Sequence, residues 1–126
     1  MDIRKLQKAV IAALEDIKAR EIEVYDVKHL TSLFDRVVIA TADSARQSKS
    51  LARNVHDKAR EIGVRVYGVE GDEAGEWVLV DLGDIVVHVM LANVRAHYNL
   101  EELWNQPKPK APRKRTTRAV APKASR

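Results

Sequence analysis

The stretch Glu76-Trp77-Val78-Leu79-Val80-Asp81-Leu82-Gly83-Asp84-Ile85-Val86-Val87-His88-Val89-Met90 decides the fold. It reads as two β-rich arms joined at Asp81-Leu82-Gly83-Asp84, because branched Val and Ile side chains suit a pleated surface better than a helix. Gly83 supplies the positive φ of a tight turn. So short a connection cannot carry a parallel crossover, and the arms must pair antiparallel. Alternation with period two puts Trp77, Leu79 and Asp81 on one face of the first arm. In the second arm Ile85, Val87 and Val89 share a face, with Val86, His88 and Met90 opposite. Both faces of this hairpin are largely apolar. One is expected to rest on the helices of the domain. The other needs a cover, and a second molecule is a candidate for it.

Upstream, Leu6, Ala9, Val10, Ala13, Leu14 and Ile17 recur at helical spacing and predict an amphipathic helix. Ile22 to Val27 reads as a short strand and Arg36 to Thr41 as a central strand buried on both faces. Lys28 to Phe34 is a connection without a clear pattern. Ser44 and Gln47 stand at capping-box spacing and open a helix that runs to about Ile62, which Gly63 closes. Val64 to Val69 reads as another strand, and Glu70 to Glu76 as an acidic loop leading into the hairpin. After the hairpin come two short helical turns, Asn93 to Tyr98 and Asn99 to Trp104. Helices between strands, with an antiparallel hairpin near the end, predict an α/β fold with a mixed sheet.

The formal net charge of +4 conceals a division. Eight of the 22 basic residues lie beyond Trp104 with no acid among them, leaving 14 against 18 acids in the rest, a net of −4. All four prolines lie there too. The chain is therefore read as one domain over residues 1–104 with a basic, proline-containing, disordered tail over 105–126. That tail is either a weak contact for RNA phosphates or a solubilising segment with no fixed partner. There is no cysteine, hence no disulfide framework and no thiolate metal site. No apolar run approaches the roughly 20 residues of a membrane span, and the charged start does not resemble a secretion signal. A soluble, cytoplasmic protein is the expectation.

Few residues invite chemistry. Asp81 and Asp84 flank the hairpin turn, where paired carboxylates can hold a divalent cation. They stand three apart across a turn, no glycine-rich phosphate cradle accompanies them, and turn chemistry explains them without a metal. His88 sits within a strand with no nucleophile to activate, and no serine lies in a nucleophile elbow. Neither a catalytic residue, a metal site nor a cofactor is expected. Glu70, Asp72, Glu73 and Glu76 make an acidic edge beside Trp77, which is either a solvated loop or a docking surface for a basic protein. Arg46 is not needed for capping and is expected to point outward.

Three segments resemble one family: Asp35 to Gln47 (D-R-V-V-I-A-T-A-D-S-A-R-Q), Gly75 to His88 (G-E-W-V-L-V-D-L-G-D-I-V-V-H) and Val94 to Trp104 (V-R-A-H-Y-N-L-E-E-L-W). The family is that of the ribosomal silencing factors, also called RsfS/Iojap. The resemblance covers Leu6 to Trp104 and implies a nucleotidyltransferase-like domain without nucleotidyltransferase activity. It implies binding of the large ribosomal subunit through its fourteenth protein, which blocks association with the small subunit and represses translation when nutrients are scarce. Organelle members act in large-subunit biogenesis, so an assembly factor is the alternative, and a divergent metal-dependent nucleotidyltransferase is a more distant one. Carried onto this chain, the partner-binding residues would be Trp77 as anchor with Leu79, Asp81, His88, Met90 and Tyr98, the acids Glu73 and Glu76, and Arg46. Whether Trp77 and Leu79 share a face with His88 and Met90 depends on the register across the turn. An exposed apolar hairpin face also allows a homodimer when no ribosome is present.

Overall fold

The computed structural model describes residues 2–104. In chain order these form α1 (Ile3–Asp16), β1 (Arg20–Asp26), β2 (Arg36–Ala42), α2 (Ala45–Glu61), β3 (Gly68–Glu70), β4 (Trp77–Asp81), β5 (Ile85–Leu91), α3 (Ala92–Tyr98) and α4 (Leu100–Trp104). The basic tail expected from Asn105 onward lies outside the described residues.

The five strands form one mixed sheet in the order β1-β2-β5-β4-β3. β4 and β5 pair antiparallel as the hairpin requires, and Gly83 takes φ +86° in the turn. β5 then lies parallel to β2 at the centre of the sheet. All of β5 up to Met90 is buried, as is β2 after Arg36, which accounts for their unbroken apolar runs.

α1 and α2 cover one face. Leu6, Val10, Ala13 and Leu14 from α1 and Leu51, Ala52, Val55 and Ala59 from α2 pack on Val38, Ala40, Val78, Val80, Val87 and Val89. Asp2 caps α1 by accepting from the Arg4 N–H, and Ser44 Oγ caps α2 by accepting from the Gln47 N–H at 3.0 Å. The reciprocal half of the expected capping box is displaced by one residue. Gln47 Oε1 accepts from the Asp43 N–H, while its Nε2 donates to the carbonyls of Ile17 and Lys18 just past α1. Gln47 thus fastens the start of α2 to the end of α1.

The strand expected over Val64 to Val69 is shorter than its pattern. Only Gly68–Glu70 pairs with β4, and the Tyr67 N–H makes a last bond to the Asp81 carbonyl. β4 ends at Asp81, so residues further upstream have no strand opposite them. Their alternation survives: Val64 and Val66 pack on the helix-side core while Tyr67 faces away from it.

Candidate functional site

The hairpin register decides which side chains share a surface. Trp77 pairs with Met90, Leu79 with His88 and Asp81 with Val86. Directly opposed residues project to the same side of a sheet, so all six belong to the face turned away from α1 and α2. β2 adds Val37, Ile39 and Thr41 to that face, and β3 adds Glu70.

This second face is only partly closed, and the chain's own C-terminal helices do the closing. Val27, Val37, Ile39 and Met90 form a small buried cluster, against which Tyr25, Phe34, Trp77, Val94, Leu100 and Trp104 pack. The Phe34 and Trp104 rings meet edge to face at 5.8 Å. Arg95 anchors this cover. It is 6% exposed, and its guanidinium donates to Glu101 Oε2 (2.8 Å), the Glu21 carbonyl (2.6 Å) and Thr41 Oγ1 (2.8 Å). One side chain therefore joins α3, α4, β1 and β2. The Glu21 carbonyl reaches it from a bulge in β1, where Glu21 takes a left-handed φ of +50°.

Met90 is completely buried beneath this cover and belongs to the core, not to the surface on which its expected role depends. His88 is almost as deep. The Trp77 indole donates from Nε1 to His88 Nδ1 at 2.9 Å. Because an indole N–H can only donate, Nδ1 must carry the lone pair and the imidazole must be neutral. Burial pushes its pKa down to about 4, which favours the same state. Trp77 is half-buried, and its ring stacks obliquely on Tyr98 at 4.8 Å. Tyr98 itself is exposed at the rim.

Beyond the Trp77–Tyr98 pair the face lies open. A groove of about 670 Å³ is lined by Leu79, Val86, Asp81, Gly83, Asp84, Glu70, Tyr67, Leu33 and Phe34. Its floor is apolar and its rim carries the carboxylates of Glu70, Asp81 and Asp84. Asp81 Oδ1 accepts from the Gly83 N–H at 2.9 Å, so this carboxylate also holds the turn. Among the described residues no group of three or more His, Cys, Asp or Glu side chains is arranged to hold a metal ion. Leu33 is 81% exposed and Tyr67 59% exposed, both large apolar side chains at the groove. The family resemblance points to neither of them. Leu33 lies in the connection whose pattern could not be read, whereas the alternation of Val64 and Val66 with Tyr67 was a usable signal.

Glu73 and Glu76 are exposed on the loop that delivers Trp77. That loop is tightly built: Gly71 takes φ +84°, and a Cβ there would lie 2.0 Å from the Trp77 carbonyl oxygen. Arg46 is exposed but stands at the start of α2, on the far side of the sheet from the groove, so it forms no single surface with the others.

A family model described as "Ribosomal silencing factor during starvation" matches residues 1–126. The chain belongs to the ribosomal silencing factor family. It is 54% identical over 109 residues to the ribosomal silencing factor RsfS of Chromobacterium violaceum, covering 86% of this chain and 89% of that protein. Identity to the RsfS of Bacillus subtilis is 38%, over 82% of this chain and 88% of the relative. A mouse protein named for mitochondrial assembly of the ribosomal large subunit is 30% identical, over 75% of this chain and 43% of its own length. A crystal structure of a Chromobacterium violaceum protein superposes with a TM-score of 0.82 at 54% identity, covering 87% of this chain and 92% of that one. The family carries a ribosome-associated role in silencing translation. No helix among the described residues is long and apolar enough to cross a membrane.

Proposed function

We propose that the protein binds the large ribosomal subunit through its fourteenth protein and so obstructs joining of the small subunit. The observation that carries this reading is the half-covered face of the hairpin, open at half-buried Leu79 over buried Val86 and flanked by exposed Leu33, Tyr67 and Tyr98. Apolar side chains grouped beneath an acidic rim suit a partner that offers an apolar side chain among basic ones. Trp77 supports the surface from its inner edge, where it is held by His88 and Tyr98.

On this reading the protein is a cytoplasmic repressor that acts by occupancy rather than catalysis. Its relation to nucleotidyltransferases is architectural, and the engagement of Asp81 by its own turn supports that view. The open strip also gives two free copies a surface on which to pair. The mouse relative favours a second role on the same contact, in assembly of the large subunit.

Sedimentation of purified large and small subunits with the full chain tests the proposal. Co-migration with the large subunit and loss of joined ribosomes is the expected result. Binding that leaves joining intact would favour the assembly role. No binding would overturn both.

A further inference from the structure

The exposed edge of α2 is a ridge of cations that the hairpin reading leaves unused. The cations Arg46, Lys49, Arg53 and Arg60, with the imidazole of His56 between the last two, follow one another at intervals of three and four residues, which sets them along a single line of the helix. At 1.5 Å per residue the line is roughly 21 Å long. Arg46, Lys49, Arg53 and Arg60 are exposed, and none has a salt-bridge partner among the described residues. Nearby Lys58, off this line, is paired with Glu61 at 3.3 Å. Acids are present beside the ridge: Asp57 contacts His56, and Asp72 lies across a groove. They do not bind the four long cations. Four unpaired cations in a line are notable in a body whose net charge is −4.

We infer that this ridge is a binding surface for the phosphate backbone of RNA. The structure on either side favours that occupant. One groove runs between the ridge and the end of α1, past Ser50 and Asn54, and another separates it from β3. Both are open and offer polar groups beside the charges. Arginine forks and lysine ammoniums donate well to phosphate oxygens. An anionic membrane surface is disfavoured because the apolar stripe of α2, Leu51, Val55 and Ala59, is buried against the sheet and cannot insert. An acidic protein is disfavoured because the ridge presents no aromatic or large aliphatic anchor. The surface lies across the sheet from the hairpin groove, so both can be occupied at once, and Arg46 belongs here.

The test uses the full chain with its tail and measures binding of a 20-nucleotide poly(U) strand and a 20-base-pair RNA duplex from 50 to 200 mM salt. The variant R46Q/K49Q/R53Q/R60Q removes four phosphate contacts. For the single strand its slope of log affinity against log salt should be shallower by about 3, so the native chain loses roughly 50-fold more affinity over that range than the variant. A second variant, R4Q/K5Q/K8Q/K28Q, removes as many charges away from the ridge and its grooves and should keep the native slope. R46K/R53K/R60K should also keep it. Should the first variant fail to fold by circular dichroism, R46Q/K49Q and R53Q/R60Q are each expected to lose half the slope change. An unchanged slope, meaning that the tail alone binds, would overturn the inference. So would an equal loss in the R4Q set, or tighter binding to phosphatidylserine vesicles than to RNA. Trp77→Ala should leave the slope intact, which separates this surface from the one proposed for the subunit.

Discussion

The two faces of one sheet follow different rules. On the face covered by α1 and α2, 14-residue and 17-residue helices lay continuous apolar stripes over valines, and Val38, Val78, Val80, Val87 and Val89 of the three central strands are completely closed off. On the other face the cover is seven residues of α3 and five of α4, pinned by Arg95, and it reaches no further than Trp77 and Tyr98. The central strands are thus fully buried on one side, while on the other the cover closes β2 and β5 and leaves β4 half-open. Stability resides mainly in the first face, and recognition in the second.

The most severe way to break this contrast is to cut into the closed face. Leu51→Ala should cost about 3 kcal/mol of unfolding free energy in urea titration, as deletion of a fully buried leucine does. The fraction that remains folded should bind the subunit normally. Altered affinity in that folded fraction would mean that the faces are coupled.

His88 gives the next largest effect. Its folded pKa of about 4 lies below the ordinary value of 6.5, so the folded state binds fewer protons than the unfolded chain between those values. Stability from this group is therefore present above pH 6.5 and lost as the pH falls toward 4, by an amount on the order of 3 kcal/mol. Denaturation curves at pH 7 and pH 4.5 should separate less in His88→Gln than in the native chain. Equal separation would show that carboxylates, not the Trp77–His88 pair, govern the acid response.

Trp77→Ala should weaken subunit binding by about 2 kcal/mol. It also removes the group that holds His88 and Tyr98, so folding must be checked in the same samples. Native affinity in a folded Trp77→Ala protein would remove the hairpin face from the interface. Leu33→Ser is the finest probe. At its level of exposure it should leave stability within about 0.5 kcal/mol, yet weaken binding by about 1 kcal/mol. A change in stability without a change in binding would assign Leu33 to the fold alone.

Much of this architecture was legible in the residue pattern. The hairpin, its Gly83 turn, the two long helices and the doubly buried β2 all follow from periodicity and local turn chemistry, which neighbouring residues determine. Gly63 and Ser44 likewise sit where local capping rules put them. The limits of β3 did not follow, because strand pairing ends where the partner strand ends. Nor did the displaced bond of Gln47, whose side chain is drawn to carbonyls that α1 brings close from 29 and 30 residues away.

For the site, the chain alone determined that the hairpin has two apolar faces, since side-chain alternation is a property of the extended backbone. Only the tertiary structure decided that Trp77, Leu79 and Asp81 share a face with Val86, His88 and Met90, because register is a relation between strands. It also buried Met90 under α3 and α4, left Leu79 open beside Leu33 and Tyr67, and sent Arg46 to the opposite side of the molecule. Each outcome depends on where distant segments pack, and local periodicity carries no record of that.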